Sequence, residues 1–512
     1  MISRAAGPAA PARLVRDFLL LAAFAFPFVF ALGMTRGLSH DEHQHVAAGA
    51  LVAREALLPY RDFPCFHTPY LAFIYGALFQ LTDHLLLAAR LFSVGCATAA
   101  VALVGAVTRQ FFRNHPPRTA RLATAGAVLL ALTASAFTYT TGRAWNHEPA
   151  LLAALLAFVV LGGGIRRVHG GWIFSAALLL GLCIGIRITY APLIAPFGLG
   201  VLLFVKAGFA RRVVLAGWFT AGLVTGLAGV AWLAVIAPDQ AWFANFEFAK
   251  VNITYRFSTG EPRTMTLPKK LRFLWKSVVR QDLGLIVPFL VVIVAAFRTR
   301  QAGRSALPLE LVLVFLCLPF LLIGSFAPSP LFEQYFYPFV FFILIGAAAA
   351  FAAVPLDSVW FRRTAWIAAL GVALSVVRGV GGYQDLPQLF RPSHWTPLEI
   401  HSEAAALRGL PINAPIVTLA PVHVLEAGHR IYPGFATGPF AWRIAPYLEP
   451  AKAARLKIPT PASLDALFAA RPPGAFLLGD EKKGEALFDL YAQEHGYLLR
   501  PNRGRDRLWV RP

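Results

Sequence analysis

The sequence predicts an all-α bundle of about eleven transmembrane helices with a small C-terminal α/β soluble domain. Its composition and its apolar runs both indicate this fold class. Of 512 residues, 57% are hydrophobic and only 14% are charged, whereas an ordinary soluble domain has about 25% charged residues. Apolar runs near the ~20 residues that a helix needs to cross a bilayer recur up to residue 380. From about Gly382 onward the composition becomes that of a soluble domain.

The apolar runs define the predicted spans in chain order. They lie near 15–34, 84–107, 122–141, 149–165, 171–187, 189–206, 213–236, 283–298, 307–326, 335–353 and 363–380. Arg4, Arg13 and Arg16 precede the apolar core of the first span, Phe18 to Leu32, as in a secretory signal. Because many spans come after it, we interpret it as an uncleaved helix. The apolar stretch from Tyr70 to Leu81 has only about twelve residues. Because that is too short to cross easily, we predict an interfacial or re-entrant helix.

The basic residues predict how the chain is oriented. Between the predicted spans, the clusters on one side are 109–121, 166–167, 206–212, 298–304 and 362–363. Arg and Lys in short loops favour the cytoplasm, so we expect a cytoplasmic N-terminus and a C-terminal domain outside. The outer loops are then 35–83, 142–148, 237–282 and 327–334. The basic stretch 268–280 would also lie outside, where an amphipathic helix can bind anionic headgroups.

The chain is predicted to have two domains, a membrane domain at 1–381 and an outer-face α/β domain at 382–512. In the second domain, short apolar stretches predict strands and amphipathic stretches predict helices. The strands are expected at 415–421, 474–480 and 507–512, and the helices at 462–470 and 484–496. The Gly- and aromatic-rich segment 426–440 is a candidate cover for an active-site mouth.

The first outer loop carries the densest group of polar residues. Its acids and histidines are Asp41, Glu42, His43, His45, Asp62 and His67. Asp41 begins a helical pattern, Asp41 to Leu57, that we expect to lie along the membrane surface. At the start of a helix the dipole favours a negative charge, so we expect an ionised carboxylate able to accept a proton. The alternative is that Asp41 is only an N-cap and Glu42 a solvated loop residue.

The order of motifs in this loop resembles the C-type membrane glycosyltransferases of the protein O-mannosyltransferase and aminoarabinose-transferase kind. The loop begins Asp-Glu, continues with an Ala/Gly-rich helix and LPYRDF (58–63), and ends in a Thr-Pro turn (68–69). The resemblance covers roughly residues 15–380. It implies a sugar donor linked to polyprenyl phosphate and transfer with inversion to a lipid, glycan or protein acceptor. It also implies a general base, for which Asp41 is the match, with Glu42 beside it.

The same resemblance directs attention to the donor phosphate. Where the aminoarabinose branch has a Lys-Pro-Pro turn, this chain has His67, Thr68 and Pro69. In the place of that Lys, His67 would be a weaker, pH-dependent donor to the phosphate. Asp62 of the LPYRDF motif is a further candidate for binding the sugar or phosphate.

The second outer loop places four polar residues between two apolar runs. They are Arg143, Asn146, His147 and Glu148. We predict that Arg143 and His147 contact the donor, and that Asn146 or Glu148 takes the place of an acid that family members have here. A helix cap built by Asn146 ahead of Pro149 is the alternative. Nearby, Arg187 must face a polar cavity or extend outward, because an unpaired Arg within the membrane is costly.

The third and fourth outer loops supply further donor-binding candidates. A leaving phosphate requires cations, and mid-loop Arg256 is the first choice with Lys250 behind it. Headgroup contact is the competing role for both. Tyr335 resembles the tyrosine of a His-Tyr-x-x-Pro turn that the family uses near the phosphate, with Gln334 in the His place. An interfacial aromatic belt is the alternative for Tyr335.

No cofactor is expected, and the spacing of possible ligands does not support a metal. The pair His423 and Glu426 is a weak motif, and His43, His45 and His67 are the remaining metal alternative. The expected partners are a polyprenyl-phosphate-linked sugar, its acceptor and membrane lipids, and not nucleic acid. We expect a multi-pass protein of a bacterial inner membrane.

Two rival functions remain open. A secondary transporter would show inverted repeats and broken helices around midplane polar residues. An envelope assembly protein would act through its C-terminal domain.

Overall fold

The structure, a computed structural model, describes residues 9–260, 265–411, 413–481, 484–500 and 507–512, with side chains from Leu14 onward. Its first two thirds are helical. The helices are α1 (Ala9–Thr35), α2 (His40–Glu55), α3 (Tyr70–Leu78), α4 (Leu85–Phe111), α5 (Pro117–Thr133), α6 (Ser135–Thr140), α7 (His147–Arg167), α8 (Gly170–Ile186), α9 (Ile194–Phe204), α10 (Phe209–Ile236), α11 (Pro238–Trp242), α12 (Phe248–Ser258), α13 (Leu267–Phe273), α14 (Leu283–Gln301), α15 (Leu309–Phe326), α16 (Tyr337–Ala352) and α17 (Val359–Gly379).

Each predicted span coincides with a helix, which confirms the predicted fold class. Within the described part of the chain, eight helices are long and apolar enough to cross a membrane by length and composition. The other three are α5, α8 and the 3₁₀ turn Ile188–Leu193 with α9, each no longer than 17 residues. The stretch predicted to be interfacial forms the short helix α3.

Small residues allow α8 and α10 to approach closely. A Cβ atom at Gly181 would lie 2.8 Å from the Cα of Gly226, so only glycine fits this crossing. Membrane helices commonly associate through such small residues, because lipid offers no hydrophobic driving force between them.

The loops that connect the helices at one end of the bundle contact one another. Glu42 of the first loop accepts a hydrogen bond from the backbone of Ala144 in the second, at 2.8 Å. Lys270 of the third loop is buried and donates to the backbone oxygens of Phe326 (2.6 Å) and Pro328 (2.9 Å) before the last turn. The basic stretch is therefore tied to the bundle through this lysine, while Trp275 remains exposed.

Helix α2 is buried in protein, whereas the sequence pattern suggested a helix lying along the membrane surface. Every residue from Glu42 to Leu51 is buried. Helix α3 packs on one side, where a Cβ at Gly49 would lie 2.8 Å from the Phe79 ring. The C-terminal domain covers another side, because Arg54 donates to the backbone oxygen of Leu425 at 2.6 Å.

The C-terminal part forms a four-stranded sheet with helices around it. Its strands are β1 (Ile416–Val417), β2 (Ala475–Leu478), β3 (Leu498–Arg500) and β4 (Arg507–Val510), in the order β1-β2-β4-β3. β1 and β2 are parallel, and the other neighbours are antiparallel. Its helices are α18 (Thr396–Ala404), α19 (Pro421–Glu426), α20 (Pro439–Ile444), α21 (Pro450–Arg455), α22 (Leu464–Ala470) and α23 (Ala486–Glu494).

The predicted strands and both predicted helices of this region are present, while β3 and the helices before α22 were not predicted. Segment 426–440 lies against the first loop. Thr437 lines the same small pocket as His45 and His67, and a Cβ at Gly438 would lie 3.4 Å from the Cβ of His43. At its start, Glu426 accepts a hydrogen bond from the backbone of Leu86 at 2.6 Å.

Candidate active site

Asp41 lies in the first turn of α2 and is partly buried. The N-cap of this helix is Ser39, whose hydroxyl accepts from the backbone N–H of Asp41 at 3.3 Å, so Asp41 itself is not the cap. The only hydrogen bond found for its carboxylate among the described residues comes from Gln44 at 3.3 Å. The Asp41 carboxylate therefore retains most of its capacity to accept hydrogen bonds.

The surroundings of Asp41 shift its pKa in the direction opposite to the predicted one. Burial raises the pKa of Asp41 above its ordinary value, and the nearby Arg187, His40 and Arg143 oppose that rise. The sequence predicted that the helix terminus favours the ionised carboxylate. In the folded chain, burial opposes the charged form more strongly than these neighbours favour it.

Glu42 is completely buried, and both of its carboxylate oxygens accept hydrogen bonds. Its carboxylate forms a two-pronged ion pair with Arg90 of α4, with both nitrogen–oxygen distances 2.8 Å. It also accepts from the backbone N–H groups of Ser39 (2.9 Å) and Ala144 (2.8 Å). The alternative of a solvated Glu42 is therefore wrong, because this side chain joins α2 to α4 and the second loop.

Arg90 completes this arrangement from inside a membrane helix. Besides its two bonds to Glu42, it donates to the backbone oxygens of Gly33 (2.9 Å), Arg36 (2.6 Å) and Gly37 (3.2 Å) at the end of α1. All five guanidinium N–H groups thus have acceptors. Arg90 was not among the predicted site residues, although it is a lone arginine within an otherwise apolar run.

Arg187 lies at the C-terminal end of α8 and is buried beside the first loop. Its guanidinium donates to the side-chain oxygen of Asn146 at 2.6 Å and lies 5.4 Å from the ring centroid of Tyr335. The ring of His147 stacks on the ring of Tyr335, with 6.3 Å between the two ring centroids. Of the two roles the sequence left open for Arg187, the structure supports the one in a polar cavity.

The second loop adds a further cation and a buried acid. Arg143 lies over the ring of Trp145 at 4.7 Å and donates to the backbone oxygen of Tyr139 at 2.9 Å. Glu148 is completely buried and lies within electrostatic range of Arg36 and Arg143. Asn146 makes no side-chain cap, since its side chain is bonded to Arg187.

Burial keeps His45 and His67 of the first loop neutral near pH 7. The rings of His45 and His67 lie 4.8 Å apart. Burial lowers the pKa of His67 to about 3, and the charge of Arg187 adds to the effect. Burial also lowers the pKa of His45 well below its usual value. His67 therefore offers a neutral N–H group and not the protonated, pH-dependent cation that the sequence suggested.

The remaining predicted site residues are placed differently. Asp62 pairs with its neighbour Arg61 at 2.7 Å and accepts from the backbone N–H of Leu58 at 2.8 Å, so it builds a local turn. Lys250 is exposed on α12. Arg256 is partly buried, and its charge reaches Tyr335, which also lies within electrostatic range of Asp41.

Within the described residues, one group has possible metal ligands within reach of one another. It consists of His40, Asp480 and Glu481, with His40 3.5 Å from Asp480 and 3.7 Å from Glu481. Glu481 also forms an ion pair with Arg443. This group joins the start of α2 to the C-terminal domain, and it includes none of the histidines His43, His45 and His67.

Comparison with known proteins finds likeness in structure alone. No protein-family model matches the chain, and no curated protein resembles it in sequence. The structure of ArnT from Cupriavidus metallidurans bound to undecaprenyl phosphate superposes with a TM-score of 0.58 at 12% identity, covering 97% of each chain. The apo structure of that protein gives 0.58 at 13% identity over 98% of each chain.

A second solved protein shares the architecture. The apo oligosaccharyltransferase of Archaeoglobus fulgidus matches with a TM-score of 0.50 at 11% identity, over 90% of this chain and 69% of that one. Over nearly its whole length, this chain therefore has the fold of ArnT, and it shares that architecture with this oligosaccharyltransferase.

Proposed function

We propose that this protein is a glycosyltransferase that moves a sugar, with inversion, from a polyprenyl-phosphate donor to a lipid, glycan or protein acceptor. The observation that carries the proposal is the position of Asp41. The described residues supply its carboxylate with one hydrogen bond, from Gln44. The carboxylate lies within electrostatic range of Arg187 and Tyr335, at the end of the bundle where the loops meet. The likeness of the whole chain to ArnT, solved with undecaprenyl phosphate, supports the donor class.

The chemistry assigns one role to the acid and another to the cations. An acceptor hydroxyl donates a hydrogen bond to Asp41 and attacks the anomeric carbon of the donor sugar. The bond between that carbon and the phosphate oxygen breaks, the leaving phosphate takes the electron pair, and Asp41 receives the hydroxyl proton. Arg187, Arg143 and Arg256 stabilise the negative charge on the phosphate, so the proposed reaction uses no metal.

Glu42 and Asp62 have supporting roles in this proposal, because both carboxylates are engaged in structural bonds. Glu42 positions Asp41 through Arg90 and Ala144, and Asp62 shapes the turn before His67. Lys250 contacts lipid headgroups. His147 and Tyr335 hold Arg187 toward the donor phosphate.

The proposed orientation places this end of the bundle, and residues 382–512 with it, outside the membrane, with the N-terminus in the cytoplasm. The short basic loops at the opposite end favour the cytoplasm. The domain boundary near residue 382 follows the end of the last membrane helix, Gly379.

The test uses the purified full chain in lipid nanodiscs with a panel of polyprenyl-phosphate sugars and candidate acceptors. Asp41→Asn is expected to lose transfer by at least 100-fold, a typical contribution of a general base. The matched control is Asp83→Asn, since Asp83 is an acid of the same loop whose side chain is 92% exposed. Full turnover by Asp41→Asn would refute the role of Asp41. Absence of transfer across the whole panel by the wild type would favour the transporter.

A further inference from the structure

A cavity of about 680 Å³ adjoins the candidate active site. Its floor is apolar and comes from the ends of α8 and α10, including Ile184, Val230 and Ala234. Its outer wall combines helix α11 with helix α21 of the C-terminal domain. Thr68 and Ile188 line it, and they directly follow His67 and Arg187, so the cavity opens beside the proposed reaction centre.

Two polar atoms in the walls of this cavity are buried without a partner. In the ranges that the structure describes, neither the hydroxyl of Thr68 nor the side-chain oxygen of Asn245 has a hydrogen bond. Asn245 is held by its amide nitrogen, which donates to the hydroxyl of Tyr60 (3.0 Å) and the backbone oxygen of Ala241 (2.9 Å). Buried polar atoms in native proteins nearly always have partners, so this pair calls for a ligand or water with hydroxyl groups.

The mouth of the cavity carries charges that balance. Lys452 of α21 pairs with Glu247 at 2.6 Å, and Arg455 lies 4.0 Å from Asp239. With two acids and two bases, the mouth has no net charge to attract a phosphate. Trp242, 58% exposed, stands at the same place and donates to Glu247 at 3.1 Å.

We propose that this cavity is the acceptor subsite and that it binds the neutral sugar of an amphiphile, a glycolipid. The proposal rests on the proposed function and names its acceptor class. The aromatic face of Trp242 suits the apolar face of a sugar ring. Carboxylates, Asn245 and Thr68 suit its hydroxyls, and the apolar floor suits the start of an alkyl chain. Because the charges at its mouth cancel, this cavity differs from the cluster of Arg187, Arg143 and Arg256 that would hold the donor phosphate.

The test follows binding and not turnover, with the full chain in nanodiscs. The probe is an octyl glucoside that carries a photoreactive diazirine in its alkyl chain, and the matched control probe has the same chain on a tetraethylene glycol head. Cross-linked peptides are located by mass spectrometry. We expect labelling within 230–247, at least tenfold stronger with the glucoside.

Two variants sharpen the test. Ala234→Trp fills the floor and should lower glucoside labelling at least tenfold, whereas Val224→Trp on the exposed face of the same helix should leave it unchanged. Thr68→Val keeps the shape but removes an unpartnered hydroxyl. It should lower labelling about fivefold without lowering thermal stability, because no protein hydrogen bond is lost.

Three results would overturn the acceptor assignment. Equal labelling by both probes would mean an apolar groove without sugar recognition. Loss of labelling with excess undecaprenyl phosphate would make the cavity the donor groove. Unchanged labelling in Ala234→Trp would place the probe elsewhere. Labelling needs no catalysis, so the two failures can be told apart. Absence of transfer by the wild type with selective glucoside labelling would refute the proposed function and leave a glycolipid-binding cavity without an acceptor role.

Discussion

Replacing Glu42 by glutamine is expected to destabilise the protein by about 3–5 kcal/mol, the usual cost of leaving one partner of a buried ion pair without its charge. Glu42 and Arg90 are both completely inaccessible to solvent, and Arg90 has no other carboxylate in its hydrogen bonds. Glutamine also turns one acceptor oxygen into a donor, which then faces an N–H group of Arg90 or of the backbone.

The assay is reversible unfolding in mixed micelles by titration with dodecyl sulfate, followed by circular dichroism. Glu42→Gln and Arg90→Met are measured alone and together. The double variant removes both charges, so it should recover at least half of the stability lost in the Glu42 variant. If Glu42 only positions Asp41, transfer activity should recover in parallel.

Two outcomes would refute this reasoning. If Glu42→Gln is as stable as the wild type, Glu42 is not the structural link that its four hydrogen bonds suggest. A double variant that is stable but inactive would return Glu42 to the catalytic role that the sequence suggested.

The remaining predictions concern protonation, charge, loop anchoring and metals. The raised pKa of Asp41 predicts that kcat/KM falls with decreasing pH at values above the ordinary 3.8 of an aspartic acid, because the base must be ionised, and a pH–rate profile will locate this limb. Arg187→Gln removes a charge that lowers that pKa, so the limb should move to higher pH while Arg187→Lys leaves it near its wild-type position. Lys270→Met should cost about 1–3 kcal/mol in the same unfolding assay, because the backbone oxygens of Phe326 and Pro328, both partly buried, lose their charged donor. Activity should persist in EDTA, and Glu481→Gln is the control for the one group of possible metal ligands among the described residues. Loss of activity on chelation, with recovery on adding Zn²⁺, would contradict a metal-free reaction.

The positions and order of the apolar helices were predictable, since length and apolarity indicate which segments can span a bilayer. Eight of the described helices meet that criterion, against about eleven predicted spans. Even the short α3 could be recognised, because its run is too brief to cross. The candidate residues of the first two loops were also found, as polar residues beside apolar runs are conspicuous.

The environment of those residues was not predictable. Helix α2 has a surface pattern, yet it is buried, in part under the C-terminal domain, whose Leu425 lies 371 positions beyond its partner Arg54 in the chain. Burial is the largest influence on the pKa of Asp41. No local pattern encodes such a distant contact, so neither the direction of the pKa shift of Asp41 nor the burial of Glu42 was predicted.

The ion pair between Glu42 and Arg90 also bears on how the chain enters the membrane. An arginine inside a span costs roughly 2.5–3.5 kcal/mol on insertion scales. Its counter-charge is only 48 residues earlier in the chain, and three of its other acceptors precede it too. The ribosome has therefore delivered every acceptor of Arg90 before α4 is synthesised. We infer that the segment from α1 to α4 can form the ion pair between Glu42 and Arg90 during translation, before the later helices are synthesised.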